Sequence, residues 1–321
     1  MSAPSRLAAV ALAAEPSYGT VTAPVALLPW SALQPADSNT LLLDASWRGS
    51  AAGTVGAETG VQESALSLSG PVYADSIGHL LAGALGDLSY TPGTPNLWAM
   101  ALLNSGAQQP ASYTVSLSDV TGLLQWPGCK VASLQLSFNS GALLAWQAKL
   151  AGQPSIGPGS LVMPAQSAES VRPGWIGACT VGGSSEPRLI SADVTLTRQI
   201  EAKRNATGQQ APWLQRTGLL TVNGHIDVAI LSDTYRATFL SGSSTSLDLN
   251  FQAGSGAALR QLRLHCSQVV WTTLARGYAG KWVDVTASFE AVANTSDAGA
   301  SGGLSPVKVT LQNAVPSGGY P

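Results

Sequence analysis

Apolar and polar residues alternate with a period of two along most of the chain, in runs bounded by clusters of Gly, Pro, Ser and Asn. This is the pattern of antiparallel strands with one buried face. It predicts strands over residues 113–118, 131–138, 192–197, 247–251 and 283–289, with a last one over 307–311. The face opposite the apolar one carries Ser, Thr, Asp or Asn rather than Lys or Glu. The strands read as short and the fold class as mainly β. Helical signals are rare. Asp75 or Ser76 is placed to cap a run over residues 77–85, and Ser232 or Asp233 a run over 234–240, each closing near a glycine.

An internal repeat is suggested by Ala65-Leu66-Ser67-Leu68-Ser69-Gly70 and Leu219-Leu220-Thr221-Val222-Asn223-Gly224, each followed by a helix. Gly70 and Gly224 are 154 positions apart; Asp44 with Asp193 and Trp98 with Leu247 give 149, and Phe138 with Phe289 gives 151. Offsets near half the chain length point to tandem duplication. The expected organisation is an arm over 1–30, a first β domain over 31–155, a Gly/Pro/Ser-rich linker over 156–170 and a second β domain over 171–321. Residues 297–303 read as a loop before the last strand.

Composition changes the picture through what it excludes. Only 11% of the 321 residues are charged, against the usual quarter or so. Sixteen basic and eighteen acidic residues give a formal net charge of -2, so no field is available to hold nucleic acid by its phosphates. With 45% hydrophobic residues and nine tryptophans, the chain has core to bury. No stretch approaches the roughly 18 to 20 apolar residues of a spanning helix. A surface so poor in charge stays soluble by being covered, and copies of the same chain are the expected cover.

The first residues, with Arg6 before the apolar run 7–14, have the outline of a secretory signal; the alternative is an ordered arm. Cys129, Cys179 and Cys266 form no CxxC pair and read as buried thiols. The triplets Asn205-Ala206-Thr207 and Asn294-Thr295-Ser296 are chance matches to a glycosylation site in a chain rich in Ser, Thr and Asn.

No catalytic, cofactor or metal residues are assigned. His79, His225 and His265 lack metal-ligand spacing. His265 adjoins Cys266, but neighbours in a strand point to opposite faces. Gly280-Lys281 lacks the rest of a phosphate loop. Asp284 and Glu290 are placed to share a strand face, where carboxylates are ordinarily solvated. Trp30, Trp47, Trp98, Trp126, Trp146, Trp175, Trp213, Trp271 and Trp282 are spread too widely for a sugar platform and suit core and interface packing.

Short motifs across the chain carry a resemblance. Glu15-Pro16-Ser17-Tyr18-Gly19-Thr20, Ser46-Trp47-Arg48-Gly49-Ser50, Leu66-Ser67-Leu68-Ser69-Gly70 before a short helix ending near Gly83 to Gly86, and Ser305-Pro306-Val307-Lys308-Val309-Thr310-Leu311-Gln312-Asn313 resemble tail tube proteins of long-tailed bacteriophages. The resemblance implies a β-sandwich or partial barrel with one short flanking helix. It implies subunits joined sheet to sheet around a ring, and rings stacked into a virion tube through which DNA passes at ejection.

Some members of that family fuse two tube domains and close a pseudo-sixfold ring from three chains; a hexamer is the alternative. Tape measure, tail terminator and tip proteins are the implied partners, and synthesis in the host cytoplasm the implied origin. No enzyme activity and no cofactor are implied. Strand-borne Asp, Ser and Thr residues are candidates for the channel surface, and residues 1 to about 25 for an arm that orders against a neighbouring ring. Two rivals stand beside this reading. One is a secreted β-rich adhesin or carbohydrate-binding protein. The other is an outer-membrane barrel, suggested by a mean hydropathy of +0.16 but needing strands of about 9 to 11 residues, longer than these appear from the pattern.

Overall fold

The computed structural model describes residues 7–159, 161–229, 233–278 and 283–321. The first part of the chain forms β1 (Ala9–Ala14), β2 (Ala26–Leu27), β3 (Ala32–Asp44), β4 (Gly56–Pro71), α1 (Ile77–Leu85), β5 (Gly86–Thr91), β6 (Asn96–Leu102), β7 (Tyr113–Asp119), β8 (Gly122–Asn139), β9 (Ala145–Gly152) and β10 (Ile156–Gly159). The second forms β11 (Gly177–Val181), β12 (Ser184–Ser185), β13 (Leu189–Lys203), β14 (Leu214–Ala229), α2 (Thr234–Ser241), β15 (Thr245–Ala253), β16 (Arg260–Gly277), β17 (Asp284–Ala291) and β18 (Lys308–Asn313). The chain is mainly β, with two short helices and an antiparallel sheet that does not close. Ser232 as a cap, Trp282, Gly280, Lys281 and the first six residues lie outside the described residues.

Each strand expected from alternation is present, but the long ones are not short. β4 and β14 have 16 residues each and β8 and β16 have 18 each. Glycines and prolines that read as strand ends sit inside strands. Gly60 and Gly218 lie at register shifts of the β3–β4 and β13–β14 pairs, where a bulge absorbs the extra residues and the ladder resumes. Strand length therefore gives no ground for excluding a membrane barrel.

The main sheet runs β3–β4–β9–β8–β13–β14–β17–β16, every pair antiparallel. One face is apolar: Leu66, Leu134, Leu136, Trp146, Val194, Ile226, Val285 and Phe289 are all buried in a single core. Each such side chain contributes roughly 1.5–3 kcal/mol on full burial. The covering layer is built from β5–β6–β18–β16–β15–β11 and from β1–β7–β8–β10. β8 and β16 belong to both layers. Their N-terminal parts pair in the cover and their C-terminal parts in the main sheet, whose ladders begin at Lys130 and Val269, just before bulges after Val131 and Trp271.

α1 lies inside this sandwich with all nine residues buried. Gly86 ends it in the left-handed region, φ 88°, with its N–H returned to the Ala82 carbonyl. α2 is different: only Tyr235 is buried, and Gly242 closes it at φ 64°.

The N-terminal segment corrects one expectation. The apolar run after Arg6 forms β1, paired with β7, and Val10 and Ala11 are completely buried. An apolar run without alternation is a strand covered on both faces. It belongs to the core of this subunit and is not an arm that waits for a neighbour. The loop before β18 is also anchored. Asp297 is fully buried and accepts hydrogen bonds from the Ser267 N–H and hydroxyl.

The same strand order recurs in the two parts of the chain, at positions other than those the sequence matches suggested. β4 and β14 start 158 residues apart, and β9 and β17 start 139 apart. Register shifts fall after Asn39 and Arg198, after Tyr113 and Thr245, and after Val131 and Trp271. On these bulges Asp44 corresponds to Lys203 rather than Asp193, Gly70 to Val228 rather than Gly224, and Phe138 to Tyr278 rather than Phe289. Trp98 lies in β6, and the β5–β6 hairpin has no counterpart between α2 and β15. That insertion is why no constant offset aligns the chain.

Candidate functional site

The face of the main sheet turned away from the core is polar along its whole width. Rows of paired residues cross it: Gln34, Ser67, Lys149, Ser133, Thr197 and Thr221 form one. Ser69, Gln147, Gln135, Thr195, Asn223 and Glu290 form the next. These side chains are exposed or half-buried. They are mostly uncharged Ser, Thr, Gln and Asn. The opposite, apolar face is buried against the covering layer and α1, so neither face offers lipid an apolar band, and this replaces strand length as the argument against a membrane barrel.

Acidic groups concentrate on the second part of this face. Asp193, Asp227, Asp284 and Glu290 lie on the adjacent strands β13, β14 and β17, and Lys149 lies on β9. Asp193 accepts from Gln135 Nε2 at 2.9 Å and lies 3.0 Å from His225 Nδ1. Asp227 accepts from the hydroxyls of Ser191 and Thr286, each at 2.5 Å. Cross-strand bonds of this kind fix the carboxylates in place and add to sheet stability. Asp284 and Glu290 do share a face, separated along β17 by Thr286 and Ser288.

The remaining chemistry-bearing residues are dispersed. His265 accompanies Arg263 around Asp248, with Nδ1 2.9 Å from the carboxylate, while Cys266 faces the core. His79 is buried in α1, and burial lowers its pKa to about 4. Burial pushes the Cys179 thiol up to about 12, and raises Cys129 and Cys266 as well. Among the described residues no group of His, Cys, Asp and Glu is arranged to hold a metal ion. Trp98, Trp126, Trp146 and Trp271 are buried and Trp30 packs against the core, whereas Trp47, Trp175 and Trp213 are exposed. Sequence reasoning placed Asp, Ser and Thr on a shared surface without knowing which; the cross-strand pairing supplies that knowledge.

The main sheet ends in two open edges. On one side β3 pairs with β4, and its other edge has no ladder among the described residues. On the other, residues 271–277 of β16 pair with β17 and are likewise open beyond it. Leu41, Leu42 and Leu43 on β3 are exposed, and Trp47 at the tip of the β3–β4 hairpin is fully so. One device protects the β3 edge. The Val72 N–H is given to the Leu144 carbonyl, which commits alternate residues of β4 to β9 and those between them to β3. Their β3 partners include Gln34 and Ala36. Pro35 falls between, so its missing N–H is on the open side, where it blunts casual pairing.

A half-open sandwich with a polar face, exposed leucines and two edges that carry no ladder among the described residues is suited to contact with other protein chains. A family profile described as Phage tail tube protein matches residues 5–314, nearly the whole chain, and the chain belongs to that family. Comparison with curated proteins returns no match. The tail tube family makes it a structural protein of the phage tail that assembles with copies of itself.

Proposed function

We propose that this chain is the major tail tube subunit of a long-tailed, siphovirus-like phage, and that it carries two fused tube domains. Residues 31–155 and 171–321 are the two domains, joined through 156–170, with β1 folded into the first. Three chains close a pseudo-sixfold ring, and rings stack into the tube. The polar face of the main sheet lines the channel, where Asp193, Asp227, Asp284 and Glu290 let DNA pass without being held. Tape measure, terminator and tip proteins meet the tube at its interior and ends. The subunit acts by geometry and not as an enzyme, and is made in the host cytoplasm before entering the virion.

The observation that supports this reading best is the recurrent strand order, in which β8 of the first part is already joined to β13 of the second. A sheet that continues across one such junction and stops with open edges at its two ends is suited to continue into another chain. Negative-stain electron microscopy of the purified protein at high concentration tests it. Rings with threefold symmetry, or hollow tubes, are expected. Persistent monomers at all concentrations overturn the assembly, and sixfold rings of six chains overturn the fusion.

A further inference from the structure

The junction between β8 and β13 runs from Ser133 opposite Thr197 to Asn139 opposite Ser191. Each of its strands has a counterpart at an open edge. The shared bulges match Ser133 with Thr273 and Phe138 with Tyr278 on the β16 side. On the β3 side they match Thr197 with Ser38 and Ala192 with Leu33. We propose that β3 of one copy pairs antiparallel with residues 273–278 of the next, in the register Ser38 opposite Thr273, Ala36 opposite Ala275 and Leu33 opposite Tyr278. The partner is a second copy of this chain, and the proposal rests on the ring assembly above.

Exposure at matched positions supports this pairing. Phe138 is 7% exposed and edge-packed on Phe251, whereas Tyr278, an aromatic ring at the matching place, is 68% exposed. Val61 is 37% exposed and Leu219, its match at the bulge, 84%. The loop between β13 and β14 lies over the first of these regions: Gln210 bonds Thr59 and the Gln62 N–H, and Arg204 pairs with Glu63. By the same relation, the β3–β4 tip bearing Trp47 covers Leu219 of the neighbour. The apolar groups left bare are those that the internal junction covers in the other half. Pro35 withholds one ladder donor opposite Arg276, so this joint is weaker than its internal counterpart and forms reversibly.

Paired cysteines test the register. Ala36 and Ala275 are both exposed, and the three native cysteines are buried. Matching the Thr195–Gln135 pair, they occupy a position where facing Cα atoms approach to about 4.5 Å, within disulfide reach. The variant Ala36→Cys with Ala275→Cys is assembled, oxidised and run on a non-reducing gel beside Ala36→Cys with Gly277→Cys, shifted by two residues. Rings by microscopy, with the first variant forming covalent oligomers and the second remaining monomeric on the gel, are expected. Rings in which the first pair stays uncrosslinked, or in which the shifted pair links instead, overturn the register and leave the ring standing. Absence of rings in the unmodified protein overturns the assembly and this joint with it.

Discussion

The ring of Tyr320 closes directly on Gly78: a Cβ added at Gly78 would lie 2.2 Å from Tyr320 Cζ. The ring also packs edge-on against His79 and Trp98, and its hydroxyl donates to the Asp75 carbonyl at 2.9 Å while accepting from Asn313 at 2.8 Å. The last residues of the chain thereby seal the helix inside the sandwich. Gly78→Ala should destabilise by about 1–3 kcal/mol through overpacking. Combining it with Tyr320→Leu should cost less than the two single changes summed, measured by denaturant unfolding.

His79 makes stability depend on pH. Burial lowers its pKa to about 4 from the ordinary 6.5. Between those values the unfolded chain binds the proton and the folded chain does not, so stability falls as pH drops from 6.5 to 4 and the effect levels off below. The loss attributable to this group is about 3 kcal/mol. The difference in unfolding free energy between His79→Leu and the unchanged protein should shift by that amount across the window, and a flat difference would refute the assignment.

Removal of residues 1–14 should abolish folding instead of leaving folded subunits unable to polymerise. β1 supplies buried ladder and core, and Glu15 just beyond it accepts from the Gly128 N–H at 2.7 Å and from the hydroxyls of Ser112 and Thr114 at 2.6 and 2.9 Å. Glu15→Ala alone should cost about 3 kcal/mol by leaving these donors unpaired. Circular dichroism melting checks both, and a truncated chain with an unchanged melt would count against the role of β1.

Pro35→Val should lower the concentration at which the protein assembles, because it restores a ladder donor on the open edge. One net hydrogen bond of about 1 kcal/mol corresponds to roughly a fivefold shift. Light scattering against concentration gives the readout; an unchanged threshold would mean that the edge is not the limiting contact.

Reversing charge on the polar face should turn a slippery surface into a retaining one. Asp284→Lys with Glu290→Lys places cations on β17, where among the described residues neither carboxylate accepts cross-strand bonds like those that fix Asp193 and Asp227. Assembled protein should then retain double-stranded DNA, with an affinity that falls steeply as salt rises. Equal retention by the unchanged and the reversed protein would place this face away from the DNA path.

The core was legible where alternation was regular. Residues 131–138 and 192–197 read as strands from their own side chains and are strands, as are both helices with their closing glycines. Legibility failed where geometry depends on the partner. Bulges at Gly60 and Gly218 change the parity of a strand midway, so a local pattern cannot be carried through them. β1 has no polar face to reveal its period. The acidic face was visible only as scattered residues, because Asp193 and His225 are 32 positions apart and meet through strand pairing alone. The matching strand order of the two parts was hidden by the β5–β6 hairpin, which displaces everything after α1.

That hairpin carries a consequence for symmetry. β5 and β6 lie in the covering layer, with β6 paired to β18, and no equivalent stands between α2 and β15 among the described residues. A ring closed from three such chains would have a channel wall that repeats every 60° and an outer wall that repeats only every 120°. The inside would be smooth to whatever slides along it, and the outside would bear three marks by which successive rings, or proteins bound around them, take their angular bearing.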